Sequence, residues 1–274
     1  MNDLNKSPCS GRNLCLYNTL SGKVEPVIPL NNNNEITMYS CGPTVYDLAH
    51  IGNFRTFLVS DLLRRTLEFT GINVIQVMNI TDVGHLTDDH EVDSNGLDKM
   101  ESAAKRILES KKQGTLPENL NIDHNDPYAI ADFYTKAFIN DAKILGLKIA
   151  NEYDKNPRCM PRATEMISEI IESISTLLKK EHAYIGMDGA VYYSVESFKN
   201  YGQLSKNTIS ELKSGQGGRV DMNTQSIKKH PSDFLLWKPD KSHIMKWESP
   251  WGIGYPGWHI ECTAIALNTL ASEN

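Results

Sequence analysis

The sequence predicts an α/β fold, and three observations point to it. A β-rich run, EITMYSCG, leads into a glycine-bearing loop and an amphipathic stretch, and a second β-rich run, NVIQVMNITDV, follows. Strand, loop, helix and strand in that order make a right-handed βαβ unit with parallel strands. Farther along, the apolar residues recur at helical rather than alternating spacing, so the middle of the chain reads as mainly helical. At 274 residues, one large core carrying an insertion, or two unequal domains, is expected.

Each element has its own signal. The asparagines of residues 31–34 form a short polar tract, read as a loop, and the β-branched residues after it end their strand near Cys41. Phe54, Phe57, Leu58, Leu62, Leu63 and Leu67 fall at helical spacing, and Gly71 is placed to stop that helix. Val74, Ile75, Val77, Ile80 and Val83 make the second strand a buried one. Residues 84–126 turn polar and read as exposed helix and loop. Two helices are expected next: one over residues 128–145, and one after Pro161 whose stripe is Ile167, Ile170, Ile171, Ile174, Leu177 and Leu178. HAYIGMDGAVYYSVESF reads as a hairpin turning at Asp188 and Gly189, KSGQGGR as a loop, and the segment after Pro256 and Gly257 as a helix. No internal repeat is visible.

Composition narrows the function. A hydrophobic share of 40% and a charged share of 23% are globular values, and no window is long and apolar enough for a membrane span. The amino end has neither a secretory nor an organellar leader pattern, so a cytoplasmic protein is expected. A net charge of −6 argues against bulk electrostatic binding of nucleic acid, DNA included, while leaving room for a local basic patch. Five unevenly spaced cysteines, Cys9, Cys15, Cys41, Cys159 and Cys262, are no disulfide framework. Reduced thiols are expected, some of them on metal.

Chemistry concentrates in two places. GPTVYDLAHIGN lies between strand and helix, where unpaired backbone N–H groups and the helix dipole favour phosphate. Gly42 and Gly52 permit close backbone approach, and His50 and Asn53 set hydrogen-bond donors three residues apart. The plainer alternative makes His50 and Asn53 parts of a helix cap. In GWHIECTAI, Cys262 would join Cys41 on zinc only if the fold brought them together; otherwise each is a small buried hydrophobe. His259, three residues earlier, reads as a hydrogen-bonding residue rather than a ligand. The HLTDDHEVD run, with His85, Asp88, Asp89 and His90, reads as a solvated polar face and not a metal site.

MYSCGPTVYDLAHIGNFRTF followed by VMNITDV resembles the amino-terminal signature of cysteinyl-tRNA synthetases. The similarity continues through PRATEMISEIIESI, AYIGMDGAVYYSVESFKNYGQLS and DFLLWKPDKSHIMKWESPWGIGYPGWHIECTAI, so it covers nearly the whole chain in order. It implies the first half of a Rossmann-like class I synthetase catalytic domain with a mainly helical connective insertion. The divisions are an amino-terminal extension over residues 1–34, the first βαβ part over 35–83, the insertion over 84–232, and a truncated return to the catalytic domain over 233–274. The implied reaction is ATP-dependent activation of L-cysteine, with Mg2+, to cysteinyl-adenylate and its transfer to tRNA(Cys).

By the same resemblance His50 and Asn53 are catalytic, stabilising charge on the ATP phosphates. Gly42, Thr44 and Gly52 line the ATP site with them, Thr81 and Trp258 contact cysteine, and Cys41 and Cys262 are two of the ligands of one Zn2+ per active site. The family's other two ligands, a His and a Glu, lie downstream of the GWHIEC block, as do the lysine loop and the anticodon-reading domain. The chain is therefore expected to be a fragment with weak or no activity alone. Gly84 and His85 stand where many relatives carry acidic residues. Two other functions remain open: a ligase joining cysteine to an amino sugar, and a catalytically silent module that binds tRNA or protein.

Overall fold

A computed structural model describes residues 14–30, 32–83, 105, 107–109, 122–123, 126–206 and 227–271. The described residues open with an antiparallel ribbon, β1 (Cys15–Asn18) and β2 (Lys23–Pro26), within the expected amino-terminal extension, where the sequence reading named no element. Cys15 is disulfide-bonded. That corrects the expectation of reduced thiols at this one position, and it has a reason: a two-stranded ribbon with mostly exposed residues buries too little to hold itself. Cys41, Cys159 and Cys262 are free thiols.

The βαβ unit forms as expected. β3 (Glu35–Ser40) and β4 (Asn73–Met78) pair in parallel over their full length, Glu35 opposite Asn73 and Ser40 opposite Met78. Between them runs α1 (Ile51–Phe69). Asn34 clamps the turn that ends α1, its side-chain amide donating to the Gly71 carbonyl at 2.7 Å while Gly71 takes φ +91°. The inward face of α1 is Phe54, Phe57, Asp61, Arg64 and Leu67. Leu58 and Leu62, expected on that face, lie instead with Ile51 and Val59 on the opposite side, where with Gly52 and Arg55 they line an open groove of about 440 Å³. One helix thus carries two apolar faces, and a periodicity count alone merges them.

Asp126 caps α2 (Pro127–Ile144), accepting from the Tyr128 N–H, with proline in the first turn. Phe138 stacks on Phe54 at 5.5 Å and meets Phe57 edge-on at 5.2 Å, so the expected insertion shares a core with the βαβ unit. A short helix, α3 (Lys148–Glu152), brings Glu152 onto the Arg64 guanidinium through two bonds of 2.8 and 2.6 Å. After a 3-10 turn, Ala163–Met166, comes α4 (Ile167–Lys179), burying Ile167, Ile170 and Ile174.

The expected hairpin is β5 (Ala183–Ile185) and β6 (Val191–Tyr193), with Gly189 at φ +79° in its turn. Two strands missed in the sequence, β7 (Phe234–Pro239) and β8 (Gly254–Pro256), extend it to a four-stranded antiparallel sheet. α5 (Ile260–Leu270) then packs against α4, and Ile260 and Ala264 join Trp237 and the α4 isoleucines in a second core. α5 also touches β3 and β4, which carries the end of the chain back to the parallel strands. The expected loop at residues 213–219, most of the polar segment 84–126, and the HLTDDHEVD run from His85 onward lie outside the described residues.

Candidate active site

The first and last parts of the chain meet at one pair of sulfurs. Cys41 follows β3, Cys262 sits in the first turn of α5, and their Sγ atoms are 4.0 Å apart although 221 positions separate them in sequence. Two thiolates on one tetrahedral zinc, each at about 2.3 Å, would stand about 3.8 Å apart. Cys41 is exposed and Cys262 half-buried, so the pair faces solvent from one side. The hydrogen bond between the two thiols lets one of them ionise at the other's expense, Cys41 held below its usual range and Cys262 pushed above it. One thiolate is therefore easily made here. Among the described residues no cluster of three or more metal-capable side chains exists. The pair offers a soft, two-sulfur donor set that suits zinc but does not complete a four-ligand shell.

Two side chains beside this pair carry buried oxygens that are poorly satisfied. Glu261 is 1% exposed and neither carboxylate oxygen has a hydrogen bond; the Tyr39 hydroxyl, beside Cys262, also finds no partner of good geometry. Burial, then the charge of Cys41, pushes the Glu261 carboxyl up to about 7. Desolvation likewise raises the Tyr39 phenol. Sequence reasoning missed both; the available signal was one acidic residue inside the otherwise apolar start of α5.

His50 caps α1 in the manner of the plainer reading, and the same contacts set its chemistry. Its Nδ1 accepts from the Gly52 N–H at 3.0 Å, and Asn53 Oδ1 accepts from the His50 N–H at 3.0 Å. With Nδ1 accepting, the neutral ring carries its proton on Nε2; with Oδ1 taken, Asn53 has its amide nitrogen to offer. A Cβ on Gly52 would stand 2.7 Å from His50 Cε1, so glycine here makes room for the imidazole.

At Gly42 the structure shows a packing need. A Cβ there would lie 1.7 Å from the Asn79 carbonyl oxygen, and its N–H donates to Asn79 Oδ1 at 3.0 Å. Its missing side chain serves the packing of the loop on the end of β4. Thr44 and Thr81 form a parallel bridge, with the Val45 N–H donating to the Thr81 carbonyl at 3.0 Å. Thr81 is buried and its Oγ1 accepts from Asn79 Nδ2 at 3.0 Å. Asn79 therefore ties Gly42 and Thr81 together, a role its place in MNITD did not disclose. Asp82, next along, accepts from the Thr164 N–H and hydroxyl at 2.9 and 2.6 Å and so fixes the 3-10 turn before α4.

Trp258 stacks on His259 with centroids 5.4 Å apart and planes 7° from parallel. His259 sits at φ +78°, the left-handed region, at the start of α5, and makes no side-chain cap. A non-glycine residue held there is strained, by about 1–2 kcal/mol, just before Cys262.

The chain's similarities run in one direction. A family model described as "tRNA synthetases class I (C) catalytic domain" matches residues 27–274. A cysteine--tRNA ligase of Salinibacter ruber is 46% identical over 94% of this chain and 45% of its own length. Those of Treponema denticola and Pyrococcus horikoshii are 40% and 41% identical, each over 95% of this chain and 47% and 46% of their lengths. The chain thus spans about half the length of the curated relatives it matches.

Proposed function

Because the chain belongs to the class I (C) tRNA synthetase catalytic-domain family, we propose that it supplies the amino-terminal share of an enzyme that activates L-cysteine with ATP and Mg2+ and passes it to tRNA(Cys). In the first step a carboxylate oxygen of cysteine attacks the α-phosphorus of ATP. The bond to the bridging oxygen breaks, pyrophosphate leaves, and cysteinyl-adenylate remains; a tRNA hydroxyl later displaces AMP.

Little covalent chemistry falls to the protein in such a step, which is governed by positioning and by stabilisation of charge. The His50 Nε2–H and the Asn53 amide are suited to the ATP phosphates, because the capping bonds already fix both side chains at the helix start. Gly52 keeps the imidazole in place, and Gly42 and Thr44 hold the shape of the loop beside the nucleotide. Thr81 and Trp258 border the cysteine side. Cys41 and Cys262 would hold zinc, with further ligands from outside this chain. The metal, when bound, prefers a thiolate over the weakly binding hydroxyl of serine, so selection needs no editing site.

The single observation that carries this reading is the 4.0 Å approach of two sulfurs from opposite ends of the chain. It favours the ligase over a silent binding module, which has no need of converged thiols, and the relatives favour tRNA over an amino sugar as acceptor. The test is pyrophosphate exchange into ATP by the full-length enzyme. We expect cysteine-dependent exchange that serine does not support and that Cys262→Ser abolishes, with weak or no exchange from the 274-residue chain. Exchange by the full-length Cys262→Ser variant at the parent rate would refute the role given to that sulfur.

A further inference from the structure

We infer that Glu261 and Tyr39 form a buried outer shell beneath the Cys41 and Cys262 thiols, and that they support a divalent cation there without ligating it. The inference rests on the metal reading above and extends it to two residues that the reading did not use. A carboxylate 1% exposed with neither oxygen in a good hydrogen bond, and a half-buried phenol whose buried hydroxyl reaches only the Cys262 sulfur, are each a liability in a metal-free chain. Both occur beside the same two sulfurs, which lie 4.0 Å apart: Glu261 directly precedes Cys262, Tyr39 lies two residues before Cys41, and the carboxylate and the thiols are close enough to interact electrostatically. A cation held by the thiolates reverses the sign of that interaction for Glu261, since an anion that repels sulfur attracts the metal. The Tyr39 O–H already reaches Cys262, and that bond would strengthen, because a thiolate freed of its proton is the better acceptor.

Position supports the division of labour. Tyr39 stands on β3 two residues before Cys41, on the same face of the strand, and Glu261 precedes Cys262 directly on α5. Each element therefore brings one ligand and one supporting group, and the strained His259 backbone sets where α5 begins.

The test is a Zn2+ titration of the reduced full-length enzyme against a chromophoric chelator, with melting of the metal-free proteins alongside. Glu261→Gln keeps the shape and removes the charge; Tyr39→Phe removes only the hydroxyl. We expect Cys262→Ser to abolish saturable binding and Glu261→Gln to weaken it about ten-fold, with Tyr39→Phe smaller in the same direction. Neither metal-free variant should melt below the parent, since one loses only a buried charge and the other only a poorly satisfied hydroxyl; a purely structural role would lower melting and leave Zn2+ affinity alone. Cys262-dependent binding that both variants retain at parental affinity would overturn the outer shell while leaving the metal reading intact. Absence of Cys262-dependent binding in the parent would overturn both. If Glu261→Gln fails to fold, the Tyr39→Phe affinity decides alone.

Discussion

Two helices in this protein share their first two letters, His-Ile, and begin with opposite physics. α1 begins His50, Ile51, Gly52, Asn53, and α5 begins His259, Ile260, Glu261, Cys262. At the first, every contact closes locally: imidazole onto backbone, amide onto backbone, glycine making space. At the second, the histidine is in the left-handed region without capping, and the acidic residue is buried without a partner. A closed start presents rigid donors to a ligand that comes and goes. An open start stores strain and unmet polar demand beside the thiols, and such a site is completed by what it binds.

The comparison can be broken first at its closed side. His50→Ala removes both the cap and the phosphate donor, so exchange by the full-length enzyme should fall about 10²–10³-fold. Stability should drop by only about 1 kcal/mol. A variant that loses stability but keeps its exchange rate would make His50 a cap and nothing more. Gly52→Ala sharpens the point, because its Cβ presses on the ring while alanine improves helix propensity. We expect about a ten-fold loss of exchange with melting nearly unchanged, reflecting a displaced donor.

How much of this was legible beforehand differs between the two starts. The α1 region was readable from the residues themselves: strand, loop and helix follow from periodicity, and the capping alternative for His50 and Asn53 follows from their spacing. The α5 region was not. No local pattern can show that residues 221 positions apart will touch, and the thiol pair was reachable only through family resemblance. Glu261 was overlooked because a charged residue in a helix's first turn is ordinarily a dipole partner at the surface. β8 escaped notice because it is short, both β7 and β8 hold prolines at their ends, and the residues of β1 and β2 are mostly exposed. The two apolar faces of α1 were merged into one for want of any knowledge of what lies on either side.

Smaller effects test the open side and the far end of α1. His259→Gly should relieve the left-handed strain, partly offset by glycine's greater chain entropy, and raise stability by about 0.5 kcal/mol. A lower melting temperature would show that the Trp258 stack outweighs the strain. At the end of α1, Glu68 pairs with Lys148 and Arg64; against the desolvation that opposes them, these cations hold its carboxyl below the ordinary range. Its contribution is therefore present above the unfolded carboxylate value of about 4.3 and lost as pH falls through the lower folded value. Glu68→Gln should cost about 0.5–1 kcal/mol at pH 7, discounted for partial exposure, and the deficit should shrink in urea unfolding series taken toward pH 3. A deficit that grows on acidification would reverse the assignment.

The account depends most on what the two sulfurs bind. X-ray absorption at the zinc edge of the full-length enzyme measures that directly. We predict two sulfur neighbours from Cys41 and Cys262, and a third when L-cysteine is added. A zinc environment free of sulfur, or one that L-cysteine leaves unchanged, would contradict it.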